Sequence, residues 1–178
     1  MEVPIYLFTG FLESGKTKFI QDTLEDERFA SGEKTLLIVC EEGEEEYNPE
    51  KSAEKNLVIL NVDEEGVLTP QKFAAWDMKY APRRVLVEYN GMWTLDKFYN
   101  ALPENFLVYQ EIFIADSTTV LSYNANMRQL VVDKLTSSEM VVFNRTGSDT
   151  DRMSLHKLVR GVSRKANICY FKVCVNDS

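Results

Sequence analysis

One histidine and three cysteines are all that the 178 residues offer for soft-metal or thiol chemistry. Cys40, Cys169 and Cys174 are odd in number and none stands in a CxxC pair. A zinc knuckle, a dithiol redox motif and a disulfide-stapled miniprotein are therefore excluded, and buried or free thiols are expected. Cys40 is the thiol to watch, since it closes an apolar run beside an acidic stretch. No run of about 18 apolar residues occurs, so direct membrane insertion by a helix is not expected. The opening MEVPIYLFTG lacks the basic region and cleavage site of a signal peptide, which predicts a cytoplasmic chain. Basic residues are outnumbered: 20 Lys and Arg against 28 Asp and Glu leave a formal charge of −8. The long-range field argues against a nucleic-acid or anionic-membrane partner, while leaving room for a local cationic pocket that takes one phosphate group.

No Pro/Gly/Ser linker or internal repeat interrupts the chain, so residues 1–178 are expected to form a single domain. A hydrophobic fraction of 44% and a charged fraction of 27% suit an ordinary packed core rather than disorder. Apolar runs predict strands at Ile5 to Thr9, Thr35 to Cys40, Leu57 to Leu60, Arg84 to Glu88, Glu111 to Asp116, Met140 to Asn144 and Ile168 to Val173. Runs such as LLIV, VLV, IFIA and MVVF are what strands covered on both faces require. Between them, Phe73, Trp76 and Tyr80 follow a Thr69 cap with Pro70 in the first turn, and Leu155, Leu158, Val159 and Val162 repeat with helical spacing. The alternation predicts an α/β, three-layer fold: a mainly parallel central sheet of about seven strands with helices on both faces. The acidic stretch EEGEEE at 41–46, continuing through YNPEKSAEK, has no apolar period and reads as a polar loop.

Residues 10–17, GFLESGKT, match GxxxxGK[ST] directly after one predicted strand and directly before a helix containing Phe19, Ile20 and Leu24. That context is what a phosphate cradle needs, because glycines let successive backbone amides and a helix N-terminus point at phosphate oxygens. Gly10, Glu13, Ser14, Gly15, Lys16, Thr17 and the adjoining Lys18 are the candidate nucleotide contacts. Lys16 would neutralise β- and γ-phosphate charge, and Thr17 would offer its hydroxyl to Mg²⁺. Glu13 is expected to face solvent or a metal rather than the phosphates.

VPIYLFTGFLESGKTKFI resembles the opening of the CobW-type P-loop GTPases, the metallochaperone group that includes urease and hydrogenase maturation proteins. Further segments match in order. CEEGEE at 40–45 resembles the family's N-E-x-G-E segment through Glu41, Gly43 and Glu44, and VLVEYNG at 85–91 resembles its hydrophobic-E-x-x-G motif through Glu88 and Gly91. IFIADSTT places Asp116 at a matching strand end, and EMVVFNRTGSDTD resembles the guanine-recognising V-x-x-N-K-x-D segment. The resemblance implies a P-loop NTPase fold, GTP or less readily ATP as ligand, and Mg²⁺ held by Thr17, Glu41, Glu44 and Glu88. It implies Lys16, Glu88 and Gly91 in catalysis, and Asn144 and Arg145 at the base. It further implies a metalloprotein or transporter client and pairing into a homodimer.

Two departures stand out. The base-reading N-K-x-D runs here as Asn144, Arg145, Thr146, Gly147, without its aspartate. Asp149, two residues later, either supplies that carboxylate or caps the following helix. The family's C-x-C-C metal motif is replaced by LNVDEEGVLTP, which leaves Asp63, Glu64 and Glu65 as hard-ion ligands or as a solvated loop. His156 reads as a structural residue beside a helix core face. Nothing in the chain resembles the family's C-terminal domain. The expected function is nucleotide binding with slow Mg²⁺-dependent hydrolysis tied to metal delivery or homeostasis. A degenerate, non-catalytic nucleotide-responsive module and a P-loop kinase remain as alternatives.

Overall fold

The computed structural model describes residues 1–172. Its strands and α-helices are β1 (Val3–Thr9), α1 (Lys16–Glu25), β2 (Thr35–Val39), β3 (Leu57–Asn61), α2 (Pro70–Tyr80), β4 (Arg84–Glu88), α3 (Leu95–Ala101), β5 (Phe106–Asp116), α4 (Val120–Asn126), α5 (Arg128–Ser137), β6 (Met140–Thr146), α6 (Arg152–Arg160) and β7 (Asn167–Lys172). The seven strands form one sheet in the order β3-β2-β4-β1-β5-β6-β7, and every pairing is parallel. The α/β three-layer reading and the strand count are therefore right. Val173 and Cys174 lie outside the described residues.

Right-handed crossovers decide which face each connection covers. From β1 the chain passes beneath the sheet through α1 to β2 and then through the acidic loop to β3, always in one direction. From β3 onward it steps back across the sheet, which carries α2 to α6 over the opposite face. The packing agrees. Phe8, Leu37, Leu86, Ile112, Ile114 and Val142 meet Ile20 and Leu24 of α1. On the other face Ile5, Leu7, Ile38 and Val87 meet Phe73 and Trp76 of α2 and Phe98 of α3, while Phe113, Val141 and Phe143 meet Val131, Leu135 and Leu155.

Some expectations need correction. β5 begins five residues before the predicted Glu111, because Phe106–Gln110 pair with β1 on one edge only. Leu107 and Tyr109 are left exposed there, so the apolar run FLVY is covered on one face only. β2 ends at Val39 rather than Cys40, although the Cys40 amide still donates to the Glu88 carbonyl at 2.9 Å. His156 is fully on the solvent side of α6 rather than beside its core face. Asp151, not Asp149, caps α6, accepting from the Ser154 amide at 3.0 Å. The Thr69 cap is as predicted, accepting from the Lys72 amide at 3.1 Å.

Candidate nucleotide-phosphate site

Parallel order puts the ends of β1, β2, β4, β5 and β6 along one rim, with the Gly10–Thr17 loop between β1 and α1 at its centre. The loop is wound tightly. Ser14 donates its amide to the Phe11 carbonyl at 3.1 Å and Phe19 to the Gly15 carbonyl at 3.0 Å. Gly15 sits at φ 93°, a conformation L side chains rarely hold, and a Cβ there would come within 2.2 Å of Asn144 Nδ2. Gly91 approaches from β4, where a Cβ would meet the Gly10 carbonyl oxygen at 2.3 Å. Gly91 is thus required by backbone contact, and Gly15 by its positive φ and the close Asn144 side chain.

Lys16 is buried, and a buried ammonium must be surrounded by acceptors. It donates to the carbonyls of Gly10 and Phe11, both at 2.8 Å, and pairs with Glu41 Oε2 at 2.5 Å. The other Glu41 oxygen accepts the Gly91 amide at 3.3 Å. Thr17 donates its hydroxyl to Glu88 Oε1 at 2.8 Å, and the Tyr47 hydroxyl donates to Glu88 Oε2 at 2.5 Å. Burial pushes the Glu88 carboxyl above its ordinary value, against the pull of the Tyr47 and Thr17 hydroxyls and the Lys16 charge. Burial, then the Glu88 charge, drives the Tyr47 phenol far up as well, so it stays a donor. Cys40 is held protonated in the same way by burial and by the charges of Glu88 and Glu41, which removes it as a thiolate.

The acidic loop is anchored at both ends. Glu41 is tied to Lys16, and the backbone of Asn48 exchanges two hydrogen bonds with the Gln21 side chain, at 2.9 and 3.1 Å. Glu42 to Glu46 between them are exposed. Tyr47 is the site residue that the sequence reading missed. Its only signal is a single aromatic in an otherwise polar acidic stretch.

Of the other candidates, Asn144 donates to the Ser14 carbonyl at 3.4 Å. Arg145, at φ 54°, donates to the Glu13 carbonyl at 2.7 Å and to Asp116 Oδ2 at 2.5 Å. Partial burial raises the Asp116 carboxyl, but hydrogen bonds from Thr118 and Arg145 outweigh it and hold the group below its usual range. The Glu13 side chain is exposed, and Glu44 lines the cleft without reaching Thr17 or Glu88. Lys18 faces away, paired with Asp22 at 2.5 Å on the outer side of α1. Glu65 pairs with Lys97 at 2.5 Å, and among the described residues no group of three or more His, Cys, Asp or Glu converges as a metal cluster. No helix among the described residues is long and apolar enough to cross a membrane.

The family model for the CobW/HypB/UreG nucleotide-binding domain matches residues 4–169. The chain belongs to this family. The Zn(II)-bound YjiA GTPase from E. coli shares the fold with a TM-score of 0.64 at 18% identity, over 100% of this chain and 59% of that one. The hydrogenase maturation factor HypB from Archaeoglobus fulgidus gives a TM-score of 0.64 at 12% identity, over 97% of this chain and 82% of that one. The chain thus spans well under two thirds of the length of the YjiA GTPase. No curated protein shows a significant sequence match. Membership makes the chain a nucleotide-binding domain by family, and at such identities the structural neighbours speak for the fold alone.

Proposed function

We propose that this domain binds a nucleoside triphosphate, GTP in preference to ATP, and hydrolyses it slowly with Mg²⁺, coupling nucleotide state to metal delivery or homeostasis through a metalloprotein or transporter client. The observation that carries the reading is the convergence of Lys16, Thr17, Glu41, Glu88 and the Gly91 amide on one tightly wound loop.

The residues suit both ligands. Ser14 Oγ is buried without a hydrogen-bond partner among the described residues, and the glycine approaches keep side chains out of the cradle. Thr17 and Glu88 are adjacent hard oxygen donors, the type magnesium selects. When bound, the ion would neutralise charge on the β- and γ-phosphate oxygens. The free space among the cleft residues is about 30 Å³, roughly one water's share of liquid volume. The Lys16 ammonium and Glu41 carboxylate both line this space and pair with each other. A phosphate therefore takes the place of Glu41 on Lys16, a swap of one anion for another that keeps the ammonium satisfied. Displaced Glu41 frees the Gly91 amide for a γ-phosphate oxygen, and Glu88 is placed to hold and orient the attacking water. Arg145 is the second cation lining the cleft, and it is committed to Asp116 and the Glu13 carbonyl. Turnover is accordingly slow until a client or a second copy supplies further positive charge.

The replacement of the base-reading aspartate by Gly147 favours one competing reading, a non-catalytic nucleotide-responsive module. Calorimetry with GTP and ATP, with and without Mg²⁺, followed by phosphate release, separates the two. Saturable GTP binding with Mg²⁺-dependent release is expected. Binding without release would favour the module, acceptor-dependent turnover a kinase, and ATP binding as tight as GTP would end the guanine assignment.

A further inference from the structure

The turn after β4 carries Gly91, and the chain is pinned two residues to either side of it. On the near side the Tyr89 amide donates to the Phe8 carbonyl of β1 at 2.9 Å. On the far side the Trp93 carbonyl accepts from Lys134 Nζ at 2.7 Å. Between these pins the turn closes on itself: Asn90 Oδ1 takes the Met92 amide at 2.9 Å, and the Asn90 carbonyl takes the Trp93 amide at 3.1 Å. Gly91 has no slack against the phosphate loop, since a Cβ on it would meet the Gly10 carbonyl oxygen at 2.3 Å and the Phe11 Cα at 2.8 Å. A displacement of Trp93 is therefore passed on to the Gly91 amide.

Lys134 reaches this turn from α5 and lies outside the lining of the cleft. Its side chain is fully buried and pairs with Asp133 Oδ2 at 3.1 Å. The same aspartate oxygen accepts the amide of Leu95, the first residue of α3, at 3.2 Å. Thr94 makes no side-chain cap bond for that helix, and its carbonyl takes the Tyr89 hydroxyl at 2.8 Å. The exit of the turn and the start of α3 are thus both fixed from α5. Burial draws the Lys134 ammonium below the ordinary lysine value, against the pull of the Asp133 and Glu111 charges. For stability alone, a well-packed apolar pair of the same shape serves as well or better than a buried ion pair. What the ammonium supplies, and an apolar side chain does not, is a directed bond to one backbone carbonyl.

Resting on the triphosphate reading above, we propose that Lys134 is a positioning residue for the γ-phosphate, holding the Gly91 amide in place through the Trp93 carbonyl. It touches no nucleotide itself. The β-phosphate is served by the amides of the Gly10–Thr17 loop, which Lys134 does not reach. A triphosphate therefore depends on Lys134, and a diphosphate does not.

The test is calorimetry of the full chain with Mg²⁺, using GDP and the non-hydrolysable β,γ-imido analogue of GTP, beside thermal melts. Lys134→Met keeps the apolar bulk and removes the donor. It is expected to weaken the triphosphate analogue about tenfold, the span of one charge-assisted hydrogen bond, and to leave GDP unchanged within about twofold. Lys134→Met combined with Asp133→Asn leaves no charge unpaired and keeps an oxygen for the Leu95 amide, and the same selective loss is expected. Tyr99→Phe, which cuts the neighbouring bond to Glu111 at 2.6 Å, is expected to lower the melting temperature and to leave the ratio of the two affinities as in the wild type. The proposal is overturned, with the triphosphate site left standing, if either folded Lys134 variant keeps the wild-type ratio or weakens GDP as much as the analogue, or if Tyr99→Phe moves the ratio as far. It is overturned too if neither Lys134 variant folds, since the pair then holds the domain rather than the turn. A wild type that binds neither nucleotide overturns the proposed function itself.

Discussion

Two buried glutamates in this domain share one electrostatic environment and differ in everything else. Glu88 and Glu111 are 3% and 2% exposed. Glu88 accepts from the Thr17 and Tyr47 hydroxyls at 2.8 and 2.5 Å. Glu111 accepts from the Tyr99 and Ser137 hydroxyls at 2.6 and 2.7 Å. In both, burial pushes the carboxyl above its ordinary value while the hydroxyls pull it back. The difference is what supplies the donors and where the strand has reached. Glu111 lies within β5, gripped by α3 and α5, two helices packed on the same face of the sheet. Glu88 is the last residue of β4, and its donors come from the first turn of α1 and from the acidic loop. A perturbed carboxyl does not by itself mark a site. Its place beyond the end of a parallel strand, beside a loop that can exchange partners, is what separates Glu88 from Glu111.

The comparison breaks most sharply if the cation next to Glu88 is removed. Lys16→Ala should lower nucleotide affinity by more than about a hundredfold, since several charge-assisted contacts go at once. A nucleotide at about a hundredfold its Kd adds about 2.7 kcal/mol, worth about 5–10 °C in Tm for a chain of this size. That shift should vanish in a thermal melt, and a retained shift would place the ligand elsewhere. Next, Glu88→Gln should cut phosphate release by about a hundredfold, in the range of a lost positioning carboxylate. The nucleotide-free Tm should hold or rise, because a buried charge has gone. Glu111→Ala should do the reverse. It strands the Tyr99 and Ser137 hydroxyls and leaves a void, costing about 2–3 kcal/mol, with turnover per folded molecule unchanged. If Glu111→Ala abolished turnover at full stability, the contrast would fail.

The smallest effect is in pH. A carboxyl whose folded pKa lies above its unfolded value binds its proton more tightly when folded, so its burial penalty is full at high pH and fades as pH falls through the folded pKa toward about 4.5, the unfolded value. Wild-type Tm should therefore gain on Glu111→Gln as pH drops from about 8 to about 5, in paired melts. A gap that widened instead would contradict the raised carboxyl.

Much of this was legible before folding. The loop at 10–17 and the Thr69 and Pro70 helix start rest on contacts within a few residues, and Arg84–Glu88 was read with both its ends because it is buried along its whole length. Phe106–Gln110 was passed over although it opens on the apolar run FLVY; it is paired on one edge, and its side chains alternate between buried and exposed, so it lacks the two-faced cover of the central strands. Tyr47 escaped because nothing local distinguishes it. Its partner is 41 residues away.

What the chain decides by itself is local: where strands and helices fall, where a glycine-rich turn can present amides, and that a glycine stands at 147 where the resembling family motif has an aspartate. Tertiary structure alone decided that β2 and β4 lie side by side next to β1. That order carries Glu41 to Lys16 and Glu88 to Thr17, and it leaves the equally buried Glu111 away from the loop. Strand order is set by crossover handedness and by which apolar faces pack together, and neither is written in the spacing of nearby residues.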